Sequence, residues 1–426
     1  METLKALSAR CYLWFKTVEM SDPTEISVMR CWVRSFVLLA FFIINPVSAV
    51  SQPGNNIRVL AYYLGPADPI EKYDVTQMTH IIFCFGQING TRFALTKNDS
   101  AVIKKMVSLK QVNPDLKVIL SLGGGRGCKT CSDAFSTEQG RVEFAQSMKE
   151  THEYFGTDGL DLDWEFPTIE HFVDQKYSPA DKVNFTKLVE AIRKSNPGKE
   201  LSFAAGAHAG IFEEVVEWEK VMKMMDYVNL MTYDIGSYQN RPDLPQYRHL
   251  ALGEDARITY HHTSLYSTKD KLHAVPGKYA QFKTPGQERS VDWCVKYLLN
   301  LGIPSAKIIV GAAFYGRVYE NVDYLNDGLY MPGTYKGGVS FKNFSTDLSA
   351  DSGYVFHWDV SAQAPWAYNK EKRLFVTFDD KRSVELKTKY VIDNKLGGIM
   401  FWQLGNDSFR EGLLDVIDRT RKSYKK

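Results

Sequence analysis

Apolar residues along this chain fall into two kinds of run. Short, nearly continuous apolar stretches at residues 57–63, 79–85, 117–122, 201–207, 227–234, 307–317 and 397–402 predict strands buried on both faces. Between them, at 101–109, 142–155, 182–195 and 291–300, apolar residues recur every three or four positions and predict helices. One more strand has a different pattern. Across residues 157–167, Asp161, Asp163 and Glu165 alternate with Leu160, Leu162, Trp164 and Phe166. Side chains on a strand point to opposite faces with period two, so the acids share one face and the apolar residues need a buried back face. Asp158 is out of phase, which places it at the strand entrance or in a bulge. Eight strands with helical stretches between them predict an α/β fold, a (β/α)8 TIM barrel with its chemistry at the carboxyl ends of the strands.

Residues 318–396, between the seventh and eighth strands, are too many for a βα connection and are expected to fold separately. They end in a strand over 375–383 and a helix over 384–394. The barrel is then assigned to 50–317 and 397–426.

Carboxylates roughly 6–7 Å apart on one strand face repel one another and cannot all stay ionised in a confined site. A proton must be shared among them, which is how a general acid is kept protonated near neutral pH. The pattern suits glycosidic-bond chemistry. Clustered acids also serve as Mg or Ca ligands, but those ions want oxygens converging from several segments and nothing in this motif requires them. No metal and no cofactor are expected.

Composition changes this picture little. The 426 residues are 44% hydrophobic and 24% charged, with a net charge of +2, which gives no reason to expect nucleic acid or an anionic membrane as a partner. Aromatic residues reach 13%, a level that fits sugar stacking and a large core equally well. Near the N-terminus, the basic stretch 29–34, the apolar run 36–44 and the small residues ending at Ala49 predict a secretory signal peptide over 29–49 within a 1–49 leader. The run is too short to span a bilayer, so a secreted protein without stable membrane insertion is expected, with an uncleaved anchor as the alternative. Cleavage would leave Cys84, Cys128, Cys131 and Cys294. For an exported protein, Cys128-Lys129-Thr130-Cys131 reads as a local disulfide or two loose thiols, and Cys84 and Cys294 as small core residues.

The segment Asp158-Gly159-Leu160-Asp161-Leu162-Asp163-Trp164-Glu165 resembles the DxxDxDxE signature of the family 18 glycoside hydrolases, the chitinases. Further elements are similar to that family's. They are Ser121-Leu122-Gly123-Gly124 to SxGG, Met231-Thr232-Tyr233-Asp234 to MxYD, Tyr315-Gly316-Arg317 to YGR, Trp402 to the tryptophan of the barrel floor, His261-His262 to a segment after the sixth strand, and 318–396 to the α+β insertion. The resemblance covers nearly all of residues 57–420. It implies a monomeric chitinase acting on chitin or chito-oligosaccharides, with Glu165 as general acid and then base and the substrate's 2-acetamido oxygen as nucleophile. Asp163 would orient that acetamido group, Asp161 would exchange a proton with Asp163, and Tyr233 would hydrogen-bond the attacking oxygen. Trp402 would stack beneath the sugar, and Met231, Asp234, Arg317, Tyr315, Phe166 and Tyr63 would line the pocket. An endo-β-N-acetylglucosaminidase and a non-catalytic lectin are the alternatives, and the intact Glu165 argues against the lectin. One departure stands out: after the paired glycines, where the family usually has tryptophan, this chain has Gly125, so an aromatic subsite is expected to be missing.

Overall fold

The computed structural model describes residues 57–424 apart from 126, 173, 209–210, 236–255, 269–272, 275–282 and 285–286. The leader and its signal peptide lie outside the described residues. Eight parallel strands form a barrel: β1 (Arg58–Tyr63), β2 (His80–Asn89), β3 (Lys117–Gly123), β4 (Gly159–Asp163), β5 (Glu200–Gly206), β6 (Tyr227–Met231), β7 (Ile308–Ala313) and β8 (Gly398–Trp402). Each pairs with the next, and β8 pairs with β1, which closes the sheet. Closure buries both faces. Val59, Ala61, Phe83, Leu120, Leu160 and Leu162 face the helical layer, while Leu60, Tyr62, Ile82, Ile119, Ile309 and Met400 fill the barrel interior as a second core. That double burial is why these strands are apolar almost without interruption.

Two helices begin four residues earlier than apolar periodicity predicts, because caps set their starts, whereas Val291–Asn300 spans the predicted residues. Lys97–Ser108 starts at a capping box between Thr96 and Asp99. Glu138–Phe155 starts where Thr137 accepts from the Gly140 amide, and stops at Gly156, whose φ of 72° is left-handed. β2 runs past the predicted end because its tail pairs antiparallel with Arg92–Ala94.

The predicted seventh strand, 307–317, divides in two. β7 ends at Ala313, and Tyr315–Glu320 joins a six-stranded antiparallel sheet, pairing with Pro332–Ser340 and Leu374–Phe378. That sheet also contains Tyr354–Asp359, Ala364–Asn369 and Ala256–Ile258. The separate sheet therefore starts at Tyr315 and recruits a strand from between β6 and β7. The helix at the other end of the expected insertion, Lys381–Asp393, buries Val384, Tyr390 and Val391 in the core between the barrel strands and the helical layer. A fully buried ion pair ties these parts together: Lys387 donates to Asp379 at 2.6 Å, and Asp379 also accepts from the Ala313 amide at 2.9 Å and the Ser383 hydroxyl at 2.6 Å.

Cys128 and Cys131 form a disulfide in the loop after β3, and Cys84 and Cys294 are buried free thiols.

Candidate active site

β4 delivers two of the three acids into the barrel. Asp161 and Asp163 point inward while Leu160 and Leu162 point to the helices, as period two demands. The strand is shorter than predicted and ends at Asp163, so Glu165 lies two residues beyond it, partly exposed at the barrel mouth. Asp158 sits at the strand entrance, where its carboxylate accepts from the Val118 amide at 2.7 Å and pairs with Lys110.

The carboxyls are alike in chemistry and differ in surroundings. Asp161 accepts four hydrogen bonds: from the hydroxyls of Tyr62 (2.9 Å), Ser121 (2.8 Å) and Ser202 (2.7 Å), and from the Asn229 amide (3.1 Å). Burial holds its pKa above the ordinary carboxylate value even though these donors pull it down. Asp163 is 3% exposed and has no partner for Oδ1 among the described residues. Burial first, then the charges of Glu165 and Asp161, raise its pKa well above the usual range. Glu165 is pushed up to about 7 by burial and by the negative charge of Asp234.

Asp234 goes the other way. Burial would raise it, but Arg317 grips both its oxygens, from Nε at 2.6 Å and from Nη2, the Tyr315 hydroxyl donates at 2.9 Å, and the His262 ring lies 3.4 Å away. The result is a carboxylate held well below its ordinary value, on a residue with a left-handed φ of 58°. Tyr315 and Arg317 reach this site from the antiparallel sheet rather than from a barrel strand.

Other predicted residues divide into two groups. Tyr233 is buried among Tyr62, Tyr315 and Met400, and its hydroxyl contacts Met400 Sδ at 3.8 Å. Burial raises its pKa well above the usual value, so it stays a neutral donor. Trp402 ends β8 half-buried, stacked on Phe85 at 5.6 Å and 15°, and Met231 ends β6 beside the same cluster. Phe166 and Tyr63, expected in the pocket, are not there. Each is 2% exposed and packs into the outer core. Phe166 lies against Gly206, where a Cβ would fall 2.6 Å from its ring, and Tyr63 turns away from the barrel to donate to the Pro66 carbonyl at 2.6 Å. Parity explains the second miss, because on β1 the inward residue is Tyr62, the one that binds Asp161.

Sequence reasoning also missed Ser121, Ser202 and Asn229 as the cradle of Asp161. The signal was available, since each is a single polar residue inside an otherwise apolar strand.

A barrel with two buried acids at the end of β4, and a third held protonatable beside them, is the site of a glycoside hydrolase. The model for Glycosyl hydrolases family 18 matches residues 58–407, and the chain belongs to that family. It is 26% identical over 425 residues to Chitinase B of Serratia marcescens, covering 85% of this chain and 83% of that protein. It is 30% identical over 353 residues to Chitotriosidase-1 of Mus musculus, covering 79% and 68%. Among solved structures, a family 18 N-acetylglucosaminidase from Paenibacillus barengoltzii superposes with a TM-score of 0.70 at 30% identity, covering 86% of this chain and all of that one.

Proposed function

We propose that this protein is a secreted chitinase that hydrolyses β-1,4 links between N-acetylglucosamine units with retention of configuration. The observation that carries the reading is the contrast between Glu165, held at about 7, and its neighbour Asp163, buried with one oxygen unpartnered. Glu165 is protonated below neutral pH and stands at the mouth, so it donates to the leaving-group oxygen. No second carboxylate is then needed as nucleophile. The substrate's acetamido oxygen attacks the anomeric carbon, and Asp163 turns its free oxygen to the acetamido N–H, which gains acidity as the ring closes. Asp161, fixed by its four donors, holds its negative charge in place beside Asp163 during that step, while the proton is shared between Asp163 and Glu165. Tyr233, a neutral donor, steadies the attacking oxygen. Glu165, now ionised, takes a proton from water, which opens the cyclic intermediate and restores the starting state.

Names of the relatives support a chitin substrate, and the Cys128–Cys131 disulfide supports export to an oxidising compartment. Likeness to a family 18 N-acetylglucosaminidase keeps a second reading open, action on N-acetylglucosamine linkages outside chitin by the same chemistry, of which the core of glycans is one case.

The mechanism predicts that chitohexaose is cleaved and that cellohexaose and fully deacetylated chitosan, which lack the attacking carbonyl, are not. Product chromatography on the three substrates is the test. Comparable hydrolysis of cellohexaose would refute the substrate-supplied nucleophile, and turnover of glycans in preference to chito-oligosaccharides would favour the second reading.

A further inference from the structure

Gly125 lacks the side chain that would form an aromatic subsite, yet an aromatic ring stands beside it. A Cβ built on Gly125 would lie 3.2 Å from Phe172 and 3.7 Å from Glu165 Oε1, so the ring and the catalytic carboxyl flank the same point. Gly125 does not have a positive φ, and the constraint on it is therefore space rather than backbone conformation.

Phe172 is partly exposed, and its backbone is clamped to that of the acid. Gln175 is 5% exposed; its amide donates to the Glu165 carbonyl at 2.7 Å, while its Oε1 accepts from the Phe172 amide at 3.1 Å and the His171 amide at 3.2 Å. The Gln175 amide donates back to the Phe172 carbonyl at 3.0 Å. His171 packs edge-on against Phe172 at 4.5 Å and against the buried Phe166 at 4.9 Å. An apolar ring held beside a hydrophilic catalytic mouth by this many fixed contacts is preorganised to meet something flat and apolar, and the C–H face of a pyranose is such a surface.

We propose that Phe172 is a sugar-stacking platform next to the cleaved bond, and that residue 125 is glycine because this ring occupies the space. The inference rests on the carbohydrate substrate argued above. It makes Phe172 a specificity-determining residue, supplied by the loop after β4 instead of the loop after β3.

The experiment compares Phe172→Ala, Phe172→Leu and Phe172→Tyr on soluble chito-oligosaccharides of two to six units. Loss of one platform raises KM about tenfold, from the apolar area it covers, with kcat nearly unchanged. Tyr restores wild-type behaviour and Leu does not, because Leu keeps the packing but has no flat face. The double variant Phe172→Ala/Gly125→Trp regains affinity, since the cavity left by the ring admits the new side chain. Leu performing as well as Phe would overturn the proposal. So would a fall in kcat with a displaced alkaline limb of the pH profile, the signature of a loop that merely holds Glu165. If the wild-type protein cleaves none of these oligomers, the proposed function fails separately. Calorimetric binding of chitohexaose then decides: weaker binding by the Leu variant upholds the platform, and equal binding overturns it.

Discussion

Replacing Glu165 with glutamine is expected to abolish turnover and, above neutral pH, to stabilise the fold. Glutamine keeps the shape and removes the proton that must move. The stability effect follows from linkage. A carboxyl held at about 7 when folded, against an ordinary 4.5, binds its proton more tightly in the native than in the unfolded state. Native stability from this group is therefore greatest below pH 4.5, falls as pH rises toward 7, and stays low above that. Integrated across the interval, the cost to the wild type is at most about 3 kcal/mol. Solvent reaches part of Glu165, and the proton is shared with Asp163, so about 1–2 kcal/mol is the expected gain in the variant at pH 8. At pH 4 the gain should be near zero. Urea unfolding of both proteins at the two pH values measures it, alongside chito-oligosaccharide turnover. A difference in stability that does not grow with pH would show that Glu165 is not held protonated by its site.

Two further substitutions probe neighbouring charges. Asp234→Asn removes the negative charge that helps to raise Glu165 and leaves Arg317 without its partner; both effects lower the pKa of the acid. The alkaline limb of kcat/KM should move to lower pH by up to about one unit, and a limb that stays or moves upward would contradict the assignment. Lys387→Met should cost about 3–5 kcal/mol in urea unfolding, because it leaves Asp379 charged and buried without a cation. Adding Asp379→Asn should recover most of that loss, and if it does not, the pair is not what ties the helix to β7.

Much of the barrel was legible because parallel strands covered on both sides leave short, nearly continuous apolar runs, and these recur along the chain with amphipathic helical stretches between them. The acid positions were legible for a related reason: alternation with Leu160, Leu162 and Trp164 fixes their face without knowledge of the fold. What lay beyond a single segment was harder to read. Nothing local distinguishes Tyr62 from Tyr63, because both are aromatic in a strand buried on both sides. Only pairing with β2 and β8 decides which one looks inward. The break at Phe314 was invisible for the same reason. Its amide donates to the Trp402 carbonyl at 2.9 Å and its own carbonyl accepts from Phe341 at 3.1 Å, so two distant segments end β7, not a residue that disfavours strand. Phe172 gave no signal at all, since its importance comes from Gly125 lying beside it in space.

Alternation supplies acids at fixed spacing, but it cannot by itself make them different, and catalysis needs them different. The distinction comes from what the other strands bring to each. Asp161 meets donors from β1, β3, β5 and β6, and with four hydrogen bonds converging from four strands it cannot rotate without losing several of them at once. It is an oriented, stationary charge. Asp234 is also stationary, because Arg317 spans both of its oxygens. Between these two fixed positions Asp163 has an unpartnered oxygen and Glu165 stands past the end of the strand, so they are the groups free to exchange protons and partners. Neutralising the fixed groups changes the electrostatic field, whereas neutralising the free ones removes a moving part. On this argument an Asp161→Asn change should displace the pH profile while leaving measurable turnover, and loss comparable to that of Glu165→Gln would mean that Asp161 itself takes part in the proton movement rather than setting the field for it.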